Sequence, residues 1–284
     1  MTLITRINCG SHVYLASDRQ VNYQDGYEQK GKCACKSREL PNKKGFIGIA
    51  GLINVNDVIV LDAIITQLHS VQNVSIQDCT TAIDYVLNLN LGSISDWHCI
   101  FMISLATKDI IENHTYIRTP HLKTLFPPHI IAHQINAIYL KDLNEAWGSF
   151  DYNTLWYSEI NKYAAKGQSW TIHADFNYNY MHLFHGLPLE DPDQWYIFTK
   201  PYTLLYFEFL NRGWSYQNFS AITDIQWIEI LQSMYINAKR TYTELYKNDY
   251  DRSKPCSSIG ECNHIIKLEQ SNHMITVILA EDPC

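Results

Sequence analysis

Apolar and polar positions along the chain change period several times, and each change marks an element. Residues 2–8 and 12–17 alternate around Gly10-Ser11, the period of two and the small turn that make a β-hairpin. Asn54-Val-Asn-Asp then introduces Val58, Leu61, Ile65 and Leu68 at helical spacing, and the Asn/Asp pair supplies a cap, so a helix is expected over 54–70. Ala82, Ile83, Val86 and Leu89 predict a second helix over 78–89. Strands follow at 99–105 and 110–117, with Thr107-Lys108-Asp109 as their turn. Farther on, 129–140 reads as a strand and 151–165 as a helix. A third well-marked helix spans 223–247, its buried side set by Ile225, Ile228, Leu231, Tyr235 and Ala238. A strand from Ser257 to Leu268 and another over 274–279 close the chain as a hairpin. The fold class implied by this order is α+β, a four-layer αββα sandwich of two mainly antiparallel sheets.

One stretch resists this reading. Residues 166–222 are crowded with aromatics, among them Trp170, Phe184, Trp195, Tyr206 and Trp214, and show no period that places them. Such density suits a packed core or an assembly face, with an apolar or peptide-binding surface as the alternative.

Composition narrows the partners. The 284 residues carry 22 Lys and Arg against 29 Asp and Glu, a net charge of −7, with no basic run. That balance argues against nucleic acid or an anionic membrane as the main partner. No apolar run approaches the ~18 residues that a spanning helix needs, and no charged segment followed by an apolar core opens the chain. A cytoplasmic protein is expected. Its eight cysteines are then reduced rather than paired. Cys33-Ala-Cys35 lacks zinc-site spacing, and His182-Leu-Phe-His185 would offer two imidazoles on one helix face without a third ligand. No metal or cofactor is expected.

The chemistry lies at the start. Thr2 follows Met1, and aminopeptidase action on so small a second residue would free a threonine carrying its own amine. A hydroxyl is a weak nucleophile, but an α-amino group titrating near pH ~8 can serve as its general base. A hairpin beginning at residue 2 anchors such a terminus inside a sheet. Asp18 ends the second strand, Lys36 stands in Cys35-Lys-Ser-Arg-Glu-Leu40, and Gly45-Phe-Ile-Gly48-Ile-Ala-Gly51 is small enough for close backbone approach.

In order and spacing these pieces resemble the proteasome-type N-terminal nucleophile hydrolases, including bacterial proteasome-like protease subunits. The resemblance covers about the first seventy residues and returns in the tail, where Ser257-Ser258-Ile-Gly260 looks like the family's closing strand. It implies one domain over 1–284, with an aromatic-rich insertion around 166–222. It also implies Thr2 as nucleophile, Asp18 orienting Lys36, and Lys36 lowering the amine's pKa. Gly48 would supply an oxyanion N–H, with Gly51 as the near alternative, and Ser258 would support the amine. The Asp-to-Lys separation is two residues longer than the family's, which leaves Lys32 as a competitor for the lysine role. Ser149 resembles a family serine loosely and suits a helix cap better. Lys254 and Pro255 stand where the family has an Asp, and Asp251 is the nearest carboxylate. The implied function is a threonine-nucleophile amidohydrolase, most simply a peptidase acting on a peptide or small amide. A homo-oligomer with an ATPase partner is expected. The alternative is a proteasome-like scaffold or assembly subunit that has lost the chemistry.

Overall fold

A computed structural model of the chain describes residues 2–9, 11–22, 28–41, 43–51, 54–55, 58–91, 97, 99–118, 120, 123–126, 169–175, 180–185, 222–245, 262, 264–271 and 275–280. The expected hairpin forms from β1 (Thr2–Asn8) and β2 (His12–Ser17), with Ile4 opposite Ser17 and Asn8 opposite Val13. Its turn is closed by the Cys9 N–H donating to the His12 carbonyl at 2.9 Å. β3 (Gln20–Asn22) and β4 (Glu28–Cys33) make a separate ribbon, then β5 (Ser37–Glu39) and β6 (Gly45–Gly51) begin a second sheet. A two-residue pair, β7 (Asn54–Val55) with β8 (Val58–Ile59), leads into α1 (Val60–Leu68) and α2 (Ile76–Leu91). β9 (Cys99–Ala106), β10 (Ile111–Arg118) and β11 (Lys123–Phe126) extend the second sheet. β12 (Ser169–Asp175) and β13 (Tyr180–His185) precede α3 (Asp224–Leu245), and β14 (His264–Glu269) and β15 (Ile275–Ala280) end the described chain.

The fold is α+β. One sheet has the order β13-β12-β1-β2-β14-β15, the other β11-β10-β9-β6-β5. Neighbours run antiparallel except β1 and β12, which pair in parallel from Thr2 with Ser169 to Asn8 with Asp175. Strands buried on both faces read as continuous apolar runs rather than alternations, and β6 and β9 show why. Phe46 and Ala50 of β6, with Ile100, Met102 and Ala106 of β9, meet Ile4, Val13, Leu15, Ile266 and Leu268 of the other sheet. On the opposite face Ile47, Ile49, Phe101, Ile103 and Leu105 pack on Leu61, Ile64 and Leu68 of α1 and Ile83, Val86 and Leu87 of α2. Each such Ile, Leu or Phe gives about 1.5–3 kcal/mol over its exposed state. The sheets are therefore held face to face by side chains that strand pairing alone could not bring together.

Capping fixes where the helices start. Ser75 and Asp78 bond reciprocally, the Asp78 N–H to Ser75 Oγ at 3.2 Å and the Ser75 N–H to Asp78 Oδ2 at 2.9 Å. This capping box begins α2 two residues before the expected start. Thr223 and Gln226 do the same for α3. By contrast Asn54 caps nothing. It belongs to the β7–β8 pair, so α1 starts at Val60, and Val58 is a strand residue rather than part of the helical stripe.

α3 packs on the outer side of the β1–β2 hairpin. Tyr235 donates to the Ala16 carbonyl at 2.8 Å, Tyr14 donates to Asp224 at 2.7 Å, and the Tyr14 and Trp227 rings lie 5.4 Å apart. Its buried stripe is Trp227, Ile230, Leu231 and Tyr235, whereas Ile225, expected inside, is 70% exposed. Leu89 of α2 is likewise outside, its place taken by Leu87 and Leu91. Within 166–222, β12 and β13 supply two strands of the first sheet that the sequence reading did not place. The strand over 129–140 and the helix over 151–165 fall outside the described residues.

Removing the α3 anchor should be costly. Trp227→Ala is expected to destabilise the protein by about 3–5 kcal/mol and Ile225→Ala by less than about 0.5 kcal/mol. Urea denaturation followed by circular dichroism distinguishes the two; equal effects would remove Trp227 from the core.

Candidate active site

The two sheets are joined at one end by charge. β2 runs out at Ser17, and the next residue, Asp18, is wholly buried. Lys36 directly precedes β5 in the other sheet and is equally buried, and its Nζ donates to Asp18 Oδ1 in a salt bridge. Burial pulls the Lys36 ammonium below the ordinary lysine pKa, because desolvation disfavours the charged form, and the Asp18 carboxylate opposes this through its charge and its hydrogen bond. The Ile49 N–H donates to the Lys36 carbonyl at 2.8 Å, which fixes this residue against β6.

Gly48 sits at the same junction. It pairs with Ser37 on one side and Met102 on the other. A Cβ there would come within 2.9 Å of Leu15 Cδ2, which would have to shift, and 3.5 Å of Ile4 Cδ1, an ordinary contact, so glycine leaves room for the close approach of β1 and β2 to this strand. Gly51 ends β6 at φ 119°, a backbone conformation that also favours glycine.

Strand register locates the start of the chain relative to this junction. Ile4 is opposite Ser17, so Thr2 lies two positions farther along, at the end of β1 where Asp18 leaves β2. The backbone thus gathers Thr2, Asp18, Lys36 and Gly48 at one end of the paired sheets. Lys32, the competing lysine, belongs to β4, whereas Lys36 is the lysine that engages Asp18. Ser258, Ser149 and Asp251 lie outside the described residues. His182 and His185 belong to β13, a strand, so the helical-face arrangement considered for them does not arise. Among the described residues no group of three or more His, Cys, Asp or Glu side chains converges.

Three polar residues at the junction were not anticipated. Ser37 Oγ lies 2.7 Å from His264 Nδ1, and Ser17 Oγ lies 3.5 Å from Ser37 Oγ. His264 is opposite Ser17 in the β2–β14 ladder, so the imidazole enters from the strand next to β2, which Asp18 directly follows. Burial, with Arg19 and Arg38 nearby, pushes its pKa down to about 4. Arg19 donates to Cys35 Sγ at 3.0 Å, and Arg38 Nε donates to Asp62 at 2.7 Å, so both guanidiniums are fixed around the site. The only sequence signal for His264 was its place in the closing strand.

Arg6 crosses the same interior deeper in the sheet. Wholly buried, it donates to the carbonyls of Ile103 and His114 at 3.1 and 2.6 Å and to Thr115 Oγ1 at 3.2 Å.

His264 should give the stability a distinct pH dependence. Its folded pKa of about 4 lies below the unfolded value of 6.5, so the unfolded chain takes up the proton first. The resulting stability is whole above pH 6.5 and is lost as pH falls toward about 4. The loss amounts to about 3 kcal/mol at most. The difference in urea midpoint between wild type and His264→Gln should therefore change between pH 7 and pH 4.5, the wild type losing more; parallel loss in both would contradict this.

No protein-family model matches this sequence, and comparison with curated proteins finds none that matches it. The chemistry of the site therefore rests on its residues and their geometry.

Proposed function

We propose that the chain is a threonine-nucleophile amidohydrolase of the proteasome-like type, a peptidase once Met1 is removed. The observation that carries the reading is the fully buried Lys36–Asp18 pair at the end of the sheets where β1 begins. Two further features support it. Gly48 comes close to Ile4 and Leu15 at the same end. The apolar layers, with α1 and α2 on one sheet and α3 on the other, suit a four-layer αββα sandwich.

In this reading the freed amine of Thr2 takes the hydroxyl proton, directly or through a water. Oγ attacks the amide carbonyl while the backbone N–H of Gly48, or of Gly51 as the near alternative, would receive the developing oxyanion. The leaving amine departs protonated, and water then releases the acyl group and restores the hydroxyl. Lys36, short of solvent and held by Asp18, supplies the positive charge that lowers the amine's pKa toward neutrality and favours ionisation of the hydroxyl. Ser258, which lies outside the described residues, would support the amine. The substrate is a peptide or small amide, and a homo-oligomer served by an ATPase completes the proposal. Among the described residues no helix is long and apolar enough to cross a membrane.

A catalytically inactive scaffold is the second reading, favoured by Lys254 and Pro255 standing where an acidic residue would complete the network.

Cleavage of a mixed peptide library by the demethionylated protein, read by mass spectrometry, decides between them. Thr2→Ala should lower turnover by on the order of 10⁶, the scale of losing a nucleophile in a triad enzyme, while Thr2→Ser keeps part of it. Lys36→Met alone should cost about 3–5 kcal/mol of stability, because it strands a buried carboxylate. The Lys36→Met/Asp18→Leu protein should regain most of that stability yet stay slow. A wild type that cleaves nothing, or a Thr2→Ala protein that cleaves equally well, leaves the scaffold reading in place.

A further inference from the structure

A serine and a histidine meet beside the Lys36–Asp18 pair without belonging to it. Ser37 and His264 are 1% and 8% exposed, too enclosed for either to meet a substrate, and their 2.7 Å contact crosses from one sheet to the other. It runs alongside the ion pair: Ser17 and Asp18 are consecutive on one sheet, Lys36 and Ser37 on the other. His264, opposite Ser17 in the ladder, adds its ring to this double link.

We propose that His264, through Ser37, is a positioning residue that holds Lys36 and Gly48 in register at the proposed threonine site. The inference rests on that reading of the site for its purpose, though not for its geometry. Ser37 is bonded into the chain directly after Lys36, and it is the cross-strand partner of Gly48. Fixing one hydroxyl therefore constrains both the ammonium and the strand that would provide the oxyanion donor. β5 has only three residues and lies at the end of its sheet order, and Lys36, just before it, is tied to β6 by the Ile49 N–H bond to its carbonyl. The imidazole supplies a hold from the facing sheet. It also ties the closing strand β14 to the first strands of the chain, so two regions far apart in sequence set one geometry.

The test follows Lys36 itself, in full-length protein with isotope-labelled lysines and Met1 removed, by NMR titration of the side-chain ammonium. In His264→Leu and in Ser37→Ala the pair is loosened, and the Lys36 titration should move away from its wild-type position, because the burial that lowers it and the Asp18 contact that raises it both change. His264→Asn sets an amide where Nδ1 was and should return it to the wild-type position. Peptide cleavage read in parallel should show kcat lowered about 10- to 100-fold in His264→Leu, with KM little changed and His264→Asn restoring most of the rate. If Lys36 titrates at one pH in wild type, His264→Leu and Ser37→Ala, the inference is overturned whatever Thr2 does. If Lys36 shifts as expected while Thr2→Ala cleaves like wild type, the positioning stands and the threonine reading falls.

Discussion

A lysine and an aspartate share a site at the junction of two sheets from which solvent is excluded altogether. Taking both charges out of water costs several kcal/mol per ion, and their mutual attraction offsets that only when geometry is good. An apolar pair of similar size would hold the sheets as well or better, so stability alone does not account for the choice. What an apolar pair could not give is a fixed positive charge beside the first residues of β1. In a region of low effective dielectric, such a charge acts strongly on any amine or hydroxyl nearby. Position, burial and chemistry at this point all favour a use for the charge itself.

The rest of the structure keeps that pair in place. Apolar layers on both faces of β6 and β9 set the spacing of the sheets, and Gly48 leaves room for Leu15 and Ile4 of the facing strands. Arg6 ties β1 to β9 and β10 from inside, through two strand carbonyls and a threonine hydroxyl. α3 clamps the hairpin from outside through Tyr235 and Trp227. Gly48, Arg6 and α3 all bear on β1 or β2.

Much of this was legible in the sequence, and the reasons for the rest are physical. The first hairpin and the paired strands at 99–105 and 110–117 carry local signals and formed within a residue or so of expectation, whereas the closing hairpin formed with its first strand at His264–Glu269 rather than from Ser257. Asp18 and Lys36 were named together by the family resemblance, with Lys32 as the competitor, and it is Lys36 that meets Asp18. Helix faces were less legible: Ile225 and Leu89 are apolar yet exposed, since the stripe that buries is decided by what a helix packs against. Alternation also fails where both faces are covered. Ile4, Thr5, Arg6 and Ile7 are all wholly buried, so polarity in β1 does not mark a solvent side. Arg6 and His264 were missed for the same reason: their partners are 97 or more residues away in sequence. β12 was hidden because its pairing with β1 is parallel and long-range, and β13 enters the sheet only as the antiparallel partner of β12.

The account stands or falls on whether Thr2 carries covalent chemistry. Exposing the demethionylated protein to an activated acyl ester, then measuring intact mass and mapping the adduct by peptide sequencing, tests this without knowledge of the natural substrate. The account predicts a single acyl adduct on Thr2 that forms readily in wild type and slowly when Lys36 and Asp18 are both replaced by apolar residues. An adduct on another residue, or none on Thr2 under conditions where the fold is intact, would contradict it.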